Sequence, residues 1–179
     1  MEKDISPNMK FWKGAEMVLI AVGANLPLGG QEALTTCHKV VETLRALPGL
    51  HVIGVSRWYE SAPVPPSGQP PYINGVIRAT TTLTPDALLA ALQQVELDFG
   101  RERSVRNAAR TLDLDIIAFD ALCQNLPHLT LPHPRAHERA FVLLPLRDVM
   151  PDWVHPATGQ RLEAMLAQVA GQEIRQIQE

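Results

Sequence analysis

Six stretches of differing periodicity, in one fixed order, restrict the fold of this chain more than any other feature. MVLIAVG (17–23) is a short apolar run ended by glycine and reads as a buried strand. From Gln31, apolar residues recur at Ala33, Leu34, Cys37, Val40, Val41, Leu44 and Leu47, a helical stripe that Pro48-Gly49 stops. LHVIGVSRWYES (50–61) is rich in β-branched and aromatic residues and reads as a strand. After the proline-rich APVPPSGQPP (62–71), YINGVIRATTTL (72–83) reads as the next. Thr84 then offers an N-cap and Pro85 a first helical position, and Leu88, Leu89, Leu92, Val95 and Phe99 continue a helix to Gly100. RTLDLDIIAFD (110–120) closes the series as a strand. The order β-α-β-β-α-β is the ferredoxin-like one, so the expected class is α+β with an antiparallel sheet. Residues 121–179 add C-terminal helices, one near 136–149 interrupted by Pro145 and one near 159–170.

A chain of 179 residues fits one domain, read here as 17–179 behind a flexible extension, 1–16. That extension, MEKDISPNMKFWKGAE, has no apolar core of the kind a secretory signal needs. Sixteen basic and nineteen acidic residues give a net charge of −3, which carries no general signature of nucleic-acid binding. The longest apolar runs, MVLIAV (17–22) and ALLAAL (87–92), are far too short to cross a bilayer. Cys37 sits on a helical stripe and Cys123 stands alone, a usage that suggests reduced thiols and a cytoplasmic protein.

The last strand contains an anomaly. Leu112, Leu114, Ile116 and Ala118 would line its core side, and Thr111, Asp113, Asp115, Ile117 and Phe119 the other. The second row turns from polar to apolar halfway, which places Asp113 and Asp115 where a covering layer stops. Two carboxylates with Cα atoms about 6–7 Å apart repel by about 2–3 kcal/mol at an effective dielectric near 20. Water relieves this at a half-exposed strand end, and a divalent cation relieves it better, since Mg²⁺ favours one or two carboxylates plus substrate phosphates. From D-x-D alone both readings stand.

The neighbouring segment shifts the balance. RERSVRNAAR (101–110) carries Arg101, Arg103, Arg106 and Arg110 directly into the aspartate strand. Guanidinium forks suit phosphate oxygens and carboxylates suit the metal of a polyphosphate, so the pair of motifs points to phosphoryl transfer. LPHPRAHER (131–139) adds His133, Arg135, His137 and Arg139, a second cationic arm; its H-x₃-H spacing lacks the paired cysteines of a zinc site. GANLPLGGQE (23–32) has neither a P-loop ending nor G-x-G-x-x-G, and Asn25 suits plain turn chemistry. YINGV (72–76) sets Tyr72 and Asn74 on one strand face, which suits either cross-strand packing or a flat pocket for a heterocycle.

Together RTLDLDI, the G-x-N-L turn at 23–26, YINGV, QQVELDFGR (93–101) and LPHPRAHERAFVLLPL (131–146) resemble the 6-hydroxymethyl-7,8-dihydropterin pyrophosphokinases, in order from about 17 to 155. The resemblance implies transfer of pyrophosphate from MgATP to the pterin hydroxymethyl oxygen, with release of AMP, in folate synthesis. It implies two Mg²⁺ ions on Asp113 and Asp115, with Arg101 and Arg110 stabilising charge on the β-phosphoryl group and the departing AMP. Gln93, Glu96, Arg103, His133 and Arg139 would face ATP, and Ser61, Ala62, Val64, Tyr72, Asn74 and Phe141 the pterin. Two positions depart from the family pattern: Asn107-Ala108-Ala109 stands where a tryptophan is common, and Ala62 where a proline is. The resemblance implies small-molecule partners only, with neither nucleic acid nor membrane, and a monomer is expected.

Two other readings use the same element order. An RNA-binding module needs stacking aromatics in its central strands, and YINGVIRA offers one tyrosine. A non-catalytic nucleotide or pterin binder would have no need of Asp113, Asp115, Arg101 and Arg110 together.

Overall fold

In the computed structural model, residues 15–25, 30–62, 71–100 and 112–179 are described, with backbone alone for 30–32. The elements begin with strand β1 (Glu16–Ala24), helix α1 (Gly30–Arg45), and strands β2 (Leu50–Val55), β3 (Tyr59–Ser61) and β4 (Tyr72–Thr81). Helix α2 (Pro85–Asp98), strand β5 (Asp113–Phe119) and a hairpin of β6 (Gln124–Leu126) and β7 (Leu129–Leu131) follow. A 3₁₀ turn (Ala136–Glu138), helices α3 (Ala140–Val149) and α4 (Leu162–Gln168), and strand β8 (Ile174–Gln176) complete the chain.

All pairings of the six-stranded sheet are antiparallel, in the order β5-β1-β4-β3-β8, and β2 also pairs with β4. Strand β4 thus lies between β1 and β2, and β1 between β4 and β5, the split arrangement expected from the element order. The predicted strand 50–61 is two strands laid end to end along β4. Ser56 makes the break: its N–H donates to the Val76 carbonyl at 2.9 Å, and its Oγ, in place of a carbonyl, accepts the Val76 N–H at 2.8 Å. Beside it Trp58 packs closely over residue 75, possible because that residue is glycine; a β-carbon there would stand 2.5 Å from the indole.

One face of the sheet is closed by α1 and α2. Ala33, Cys37, Val40, Val41 and Leu44 of α1 and Leu88, Leu92 and Val95 of α2 pack against Val18, Ile20, Val22, Ile73, Ile77, Leu114 and Ile116. The Thr84 Oγ1 accepts the Ala87 N–H at 3.2 Å and Pro85 opens α2, as the sequence predicts. On the other face α3 and α4 bury Val142, Leu143, Leu146, Leu162 and Met165 against Leu19, Val76 and Ile117. Buried on both sides, β1 has to be a continuous apolar run rather than an alternating one.

Several expectations need correction. Ala118 packs with the α3 side and Phe119 with the α1–α2 side, the reverse of the predicted rows. The cause is a bulge: Leu19 pairs with Ala118 but Ile20 pairs with Ile116, so Ile117 is an extra residue and the parity flips beyond it. Pro145 lies inside α3 without interrupting it, its ring buried, and the first turn of the predicted segment is 3₁₀. Helix α4 begins at Leu162 because 155–160 is a closed turn. There the Gly159 N–H donates to the His155 carbonyl at 2.8 Å and Gly159 takes φ +73°. The β6–β7 hairpin and β8 are short strands without a periodic signature in the sequence.

Candidate active site

The register of the sheet assembles a floor from four strands. Asp113 of β5 pairs with Gly23 of β1, Gly23 with Asn74 of β4, and Asn74 with Tyr59 of β3. Residues paired in this way share a face. One step along, Asp115 pairs with Ala21 and Ala21 with Val76, which packs under α3, so the whole row lies on the α3 side. Along β1 this face runs Leu19, Ala21, Gly23, each side chain smaller than the last. Over the same distance β5 runs Ile117 with Ala118, then Asp115 and Asp113, and β4 runs Arg78, Val76, Asn74. The apolar cover ends after Ile117 on β5 and one pair later, after Val76, on β4, and beyond it lies a polar shelf with no side chain at its centre, Gly23.

On one side of Gly23 are the two carboxylates, Asp113 half-buried and Asp115 exposed. On the other side Asn74, only 6% exposed, donates from Nδ2 to the Ser61 Oγ at 2.8 Å and to the Tyr72 carbonyl at 3.3 Å. Both amide hydrogens are thereby used, and the Asn74 Oδ1 is turned toward the space above Gly23, 3.6 Å from where a β-carbon would sit. Ser61, Tyr72 and Asn74 thus form one connected group. Ala62 is exposed beside them and lines a groove with Glu60, Pro71, Gln172, Ile174 and Arg175.

The segment after β7 brings His133 to the carboxylate side. The His133 N–H donates to the Ile117 carbonyl of β5 at 2.8 Å. Its ring Nδ1 accepts the Arg135 N–H at 3.2 Å, so a neutral ring carries its proton on Nε2. Burial pushes the His133 pKa down; Asp115 opposes the shift, and Arg139 and Arg135 reinforce it. In its neutral form His133 is therefore an Nε2 donor, within electrostatic reach of Asp115 and Arg139. The Arg139 guanidinium carbon lies 5.3 Å from the centre of the Phe141 ring, in cation–π range.

Helix α2 reaches the same strand end from the opposite face. Glu96, 4% exposed, accepts the Leu114 N–H at 3.2 Å through its carboxylate, at the residue between the two aspartates. Gln93 is exposed one turn earlier. Arg101, Arg103, Arg110 and Val64 lie outside the described residues. The sequence reading missed Gly23 as the centre of the floor, although the G-x-N-L turn contains it. It also missed the Tyr59 hydroxyl, which donates to Asp148 Oδ2 at 2.8 Å and ties β3 to α3. Burial, aided by that bond, pushes the Tyr59 pKa up to about 12.

The donor set fits magnesium. Asp113 and Asp115 offer oxygen only, and the described residues contain no group of three or more His, Cys, Asp and Glu that would cage an ion. Mg²⁺ takes such a partial protein shell and completes it with water and phosphate oxygens.

Residues 19–151 match the family model of the 7,8-dihydro-6-hydroxymethylpterin-pyrophosphokinases (HPPK). The chain belongs to this family. It is 40% identical over 152 residues to the 2-amino-4-hydroxy-6-hydroxymethyldihydropteridine pyrophosphokinase of Pseudomonas aeruginosa, covering 85% of this chain and 91% of that one. The corresponding enzyme of Synechocystis is 38% identical, covering 82% of this chain and 76% of its own. Among solved structures, an HPPK-DHPS protein in complex with substrates aligns with TM-score 0.65 at 12% identity, over 86% of this chain and 43% of that one. The HPPK-DHPS of Plasmodium falciparum aligns with TM-score 0.63 at 14% identity, over 86% and 41%. This chain spans less than half of each of those two, and the likeness to them is one of fold. The shared HPPK fold agrees with the α+β class read from the element order.

Proposed function

We propose that this HPPK-family chain transfers the pyrophosphoryl group of ATP to the hydroxymethyl oxygen of 6-hydroxymethyl-7,8-dihydropterin, with release of AMP, as a step of folate synthesis. The observation that carries the reading is the row Asp113–Gly23–Asn74, which sets a metal-competent carboxylate and a heterocycle-reading amide on one floor. Adjacent strands lie about 4.8 Å apart, so the two ends of the row are about 10 Å from each other. That is room for a flat ring on one side and phosphates on the other.

In this reading Asp113 and Asp115 hold Mg²⁺, as two ions. When bound, the metal neutralises triphosphate charge and polarises the phosphoryl oxygens. His133 offers its Nε2 proton and Arg139 its guanidinium to the nucleotide, with Gln93, Glu96 and Arg103 on the same side. Glu96 also fixes the strand between the aspartates through the Leu114 N–H. Ser61, Ala62, Val64, Tyr72, Asn74 and Phe141 hold the pterin. The Oδ1 of Asn74 accepts from a ring N–H while its Nδ2 stays tied to Ser61 and Tyr72. Arg101 and Arg110 meet the charge that develops on the β-phosphoryl group and on AMP. Positioning and charge stabilisation are what such a transfer needs.

An RNA-binding role is disfavoured. The open sheet face carries Asp113 and Asp115 beside Asn74, and carboxylates repel a phosphate backbone unless a cation lies between. Among the described residues no helix is long and apolar enough to cross a membrane. We read residues 17–179 as one domain acting as a cytoplasmic monomer. The decisive assay incubates the protein with MgATP and 6-hydroxymethyl-7,8-dihydropterin and identifies the nucleotide product. AMP supports the proposal, and ADP overturns it.

A further inference from the structure

The family match ends at residue 151, yet a side chain well beyond it reaches back to the site. The Gln172 Oε1 accepts the Ala140 N–H at 2.9 Å, and its Nε2 donates to the Glu138 carbonyl at 2.7 Å. These are peptide groups on either side of Arg139. Arg139 is the one extended residue between the 3₁₀ turn and α3, with φ −124° and ψ 112°, and it makes no side-chain capping bond. The first N–H of a helix has no partner within the helix, so the Gln172 amide supplies the cap that Arg139 does not.

The next few residues grip the opposite wall. Ile174 of β8 pairs with Ser61 and Arg175 with Glu60, and the Arg175 guanidinium meets the Glu60 carboxylate at 2.8 Å. Ser61 in turn accepts from Asn74. One short stretch, 172–176, therefore holds the backbone under Arg139 and the strand that carries Ser61.

We propose that Gln172 is a positioning residue for the reaction, aiming the Arg139 guanidinium, and that 172–176 is the strap that spaces the two walls. This rests on the reading of Arg139 as a nucleotide contact. Glutamine suits the task because its amide has a donor and an acceptor side by side, as an extended strand partner would. Glutamate keeps the acceptor, loses the donor and sets a charge against the Glu138 carbonyl. Alanine loses both bonds.

A double-mutant cycle tests the proposal through two readouts: calorimetric affinity for α,β-methylene-ATP with Mg²⁺, and the rate of AMP formation. Gln172→Ala is expected to lower both affinity and kcat/KM by about five- to tenfold, the size expected for two neutral hydrogen bonds. In an Arg139→Ala background the same change is expected to cost almost nothing further, because the group it aims is gone. Gln172→Glu is expected to fall between alanine and the parent, and it carries the cycle if Gln172→Ala does not fold. An equal loss in both backgrounds overturns the proposal, since it would mean support of the fold alone; so does no loss when Arg139 is present. A parent that binds the analogue but forms no AMP breaks the functional reading only, and the affinity cycle still decides the role of Gln172. A parent that does not bind the analogue overturns both.

Discussion

Toward α1 and α2 the central strands present Val18, Ile20, Val22, Ile73, Ile77 and Leu114, all buried, and toward α3 the same strands present two kinds of residue. At one end of the α3 face Leu19, Val76 and Ile117 are as buried as anything on the first face. At the other end stand Asp113, Asp115, Gly23 and Asn74. The covered face yields stability through area removed from water. The half-covered face gives up that area over one end and gains a place where charged groups can be held together. Alternation along a strand allows both, because successive residues point to opposite faces except at a bulge such as that in β5.

The largest expected effect breaks the uncovered end. Asp115→Asn removes one of two metal-competent carboxylates and relieves their repulsion. Turnover to AMP is expected to fall by about a hundredfold or more, in line with the several kcal/mol a catalytic metal supplies. The thermal midpoint is expected to hold or rise slightly. An Asp115→Asn variant with near-parental turnover at ordinary Mg²⁺ would separate the carboxylate pair from the chemistry.

Leu44→Ala probes the covered face in the opposite way. Leu44 is fully buried on α1, and its truncation is expected to cost about 3 kcal/mol of stability by denaturant titration. The kcat of the folded fraction is expected to stay unchanged, because Leu44 packs on the face of the sheet opposite the site. A fall in kcat matching the loss of stability would show that the faces are not independent.

The aspartate pair was legible from a single strand, because polar residues in an apolar row mark the edge of a covering layer. Helices α1 and α2 were legible from their stripes, and the cap Thr84 from residue type and position. What joins Asp113 to Asn74 was not legible from the spacing of either strand. It depends on register across β1, between residues far apart in sequence, and on Gly23, whose role is to have no side chain. The bulge at Ile117 was hidden for a similar reason: an unbroken apolar run gives no sign of which residue is the extra one. Gln172 carried no signal at all, since a polar residue near a chain end looks the same whether it caps a distant helix or meets only water.

Gly23→Ala sharpens the comparison within the uncovered end itself. The added methyl would meet Asn74 Oδ1 at 3.6 Å, an ordinary contact, so the fold is expected to tolerate it. A ring lying on the floor would not. The KM for the pterin is expected to rise about tenfold, the size expected of one misplaced methyl group in a fitted pocket, with that for MgATP nearly constant. Equal changes for both substrates would place Gly23 outside the pterin floor.

The smallest effect concerns acid, and it asks which face loosens first. The described α1–α2 core buries no histidine, whereas the α3 side holds His155, 5% exposed, beside Trp153 and His137. The His155 Nδ1 accepts the N–H groups of Ala157 and Thr158, both at 3.2 Å, so a proton there would face two donors. Burial lowers the His155 pKa below its ordinary 6.5, and His137 adds to the shift. The folded state then binds fewer protons than the unfolded one, so this contribution is full above pH 6.5 and is lost as the pH falls below it. His155→Asn keeps an acceptor near the Nδ1 position and removes the titration. The fall in thermal midpoint between pH 7 and pH 5 is expected to be shallower in the variant than in the parent. Fluorescence in a Trp12→Phe background assigns the face, since Trp153 belongs to the α3 side and Trp58 to the other. With Trp58 replaced by phenylalanine the acid-induced change in emission should persist, and with Trp153 replaced it should shrink. If Trp58 reported the earlier change, the acid-sensitive layer would be the covered face, and the division of labour between the two faces would not extend to pH.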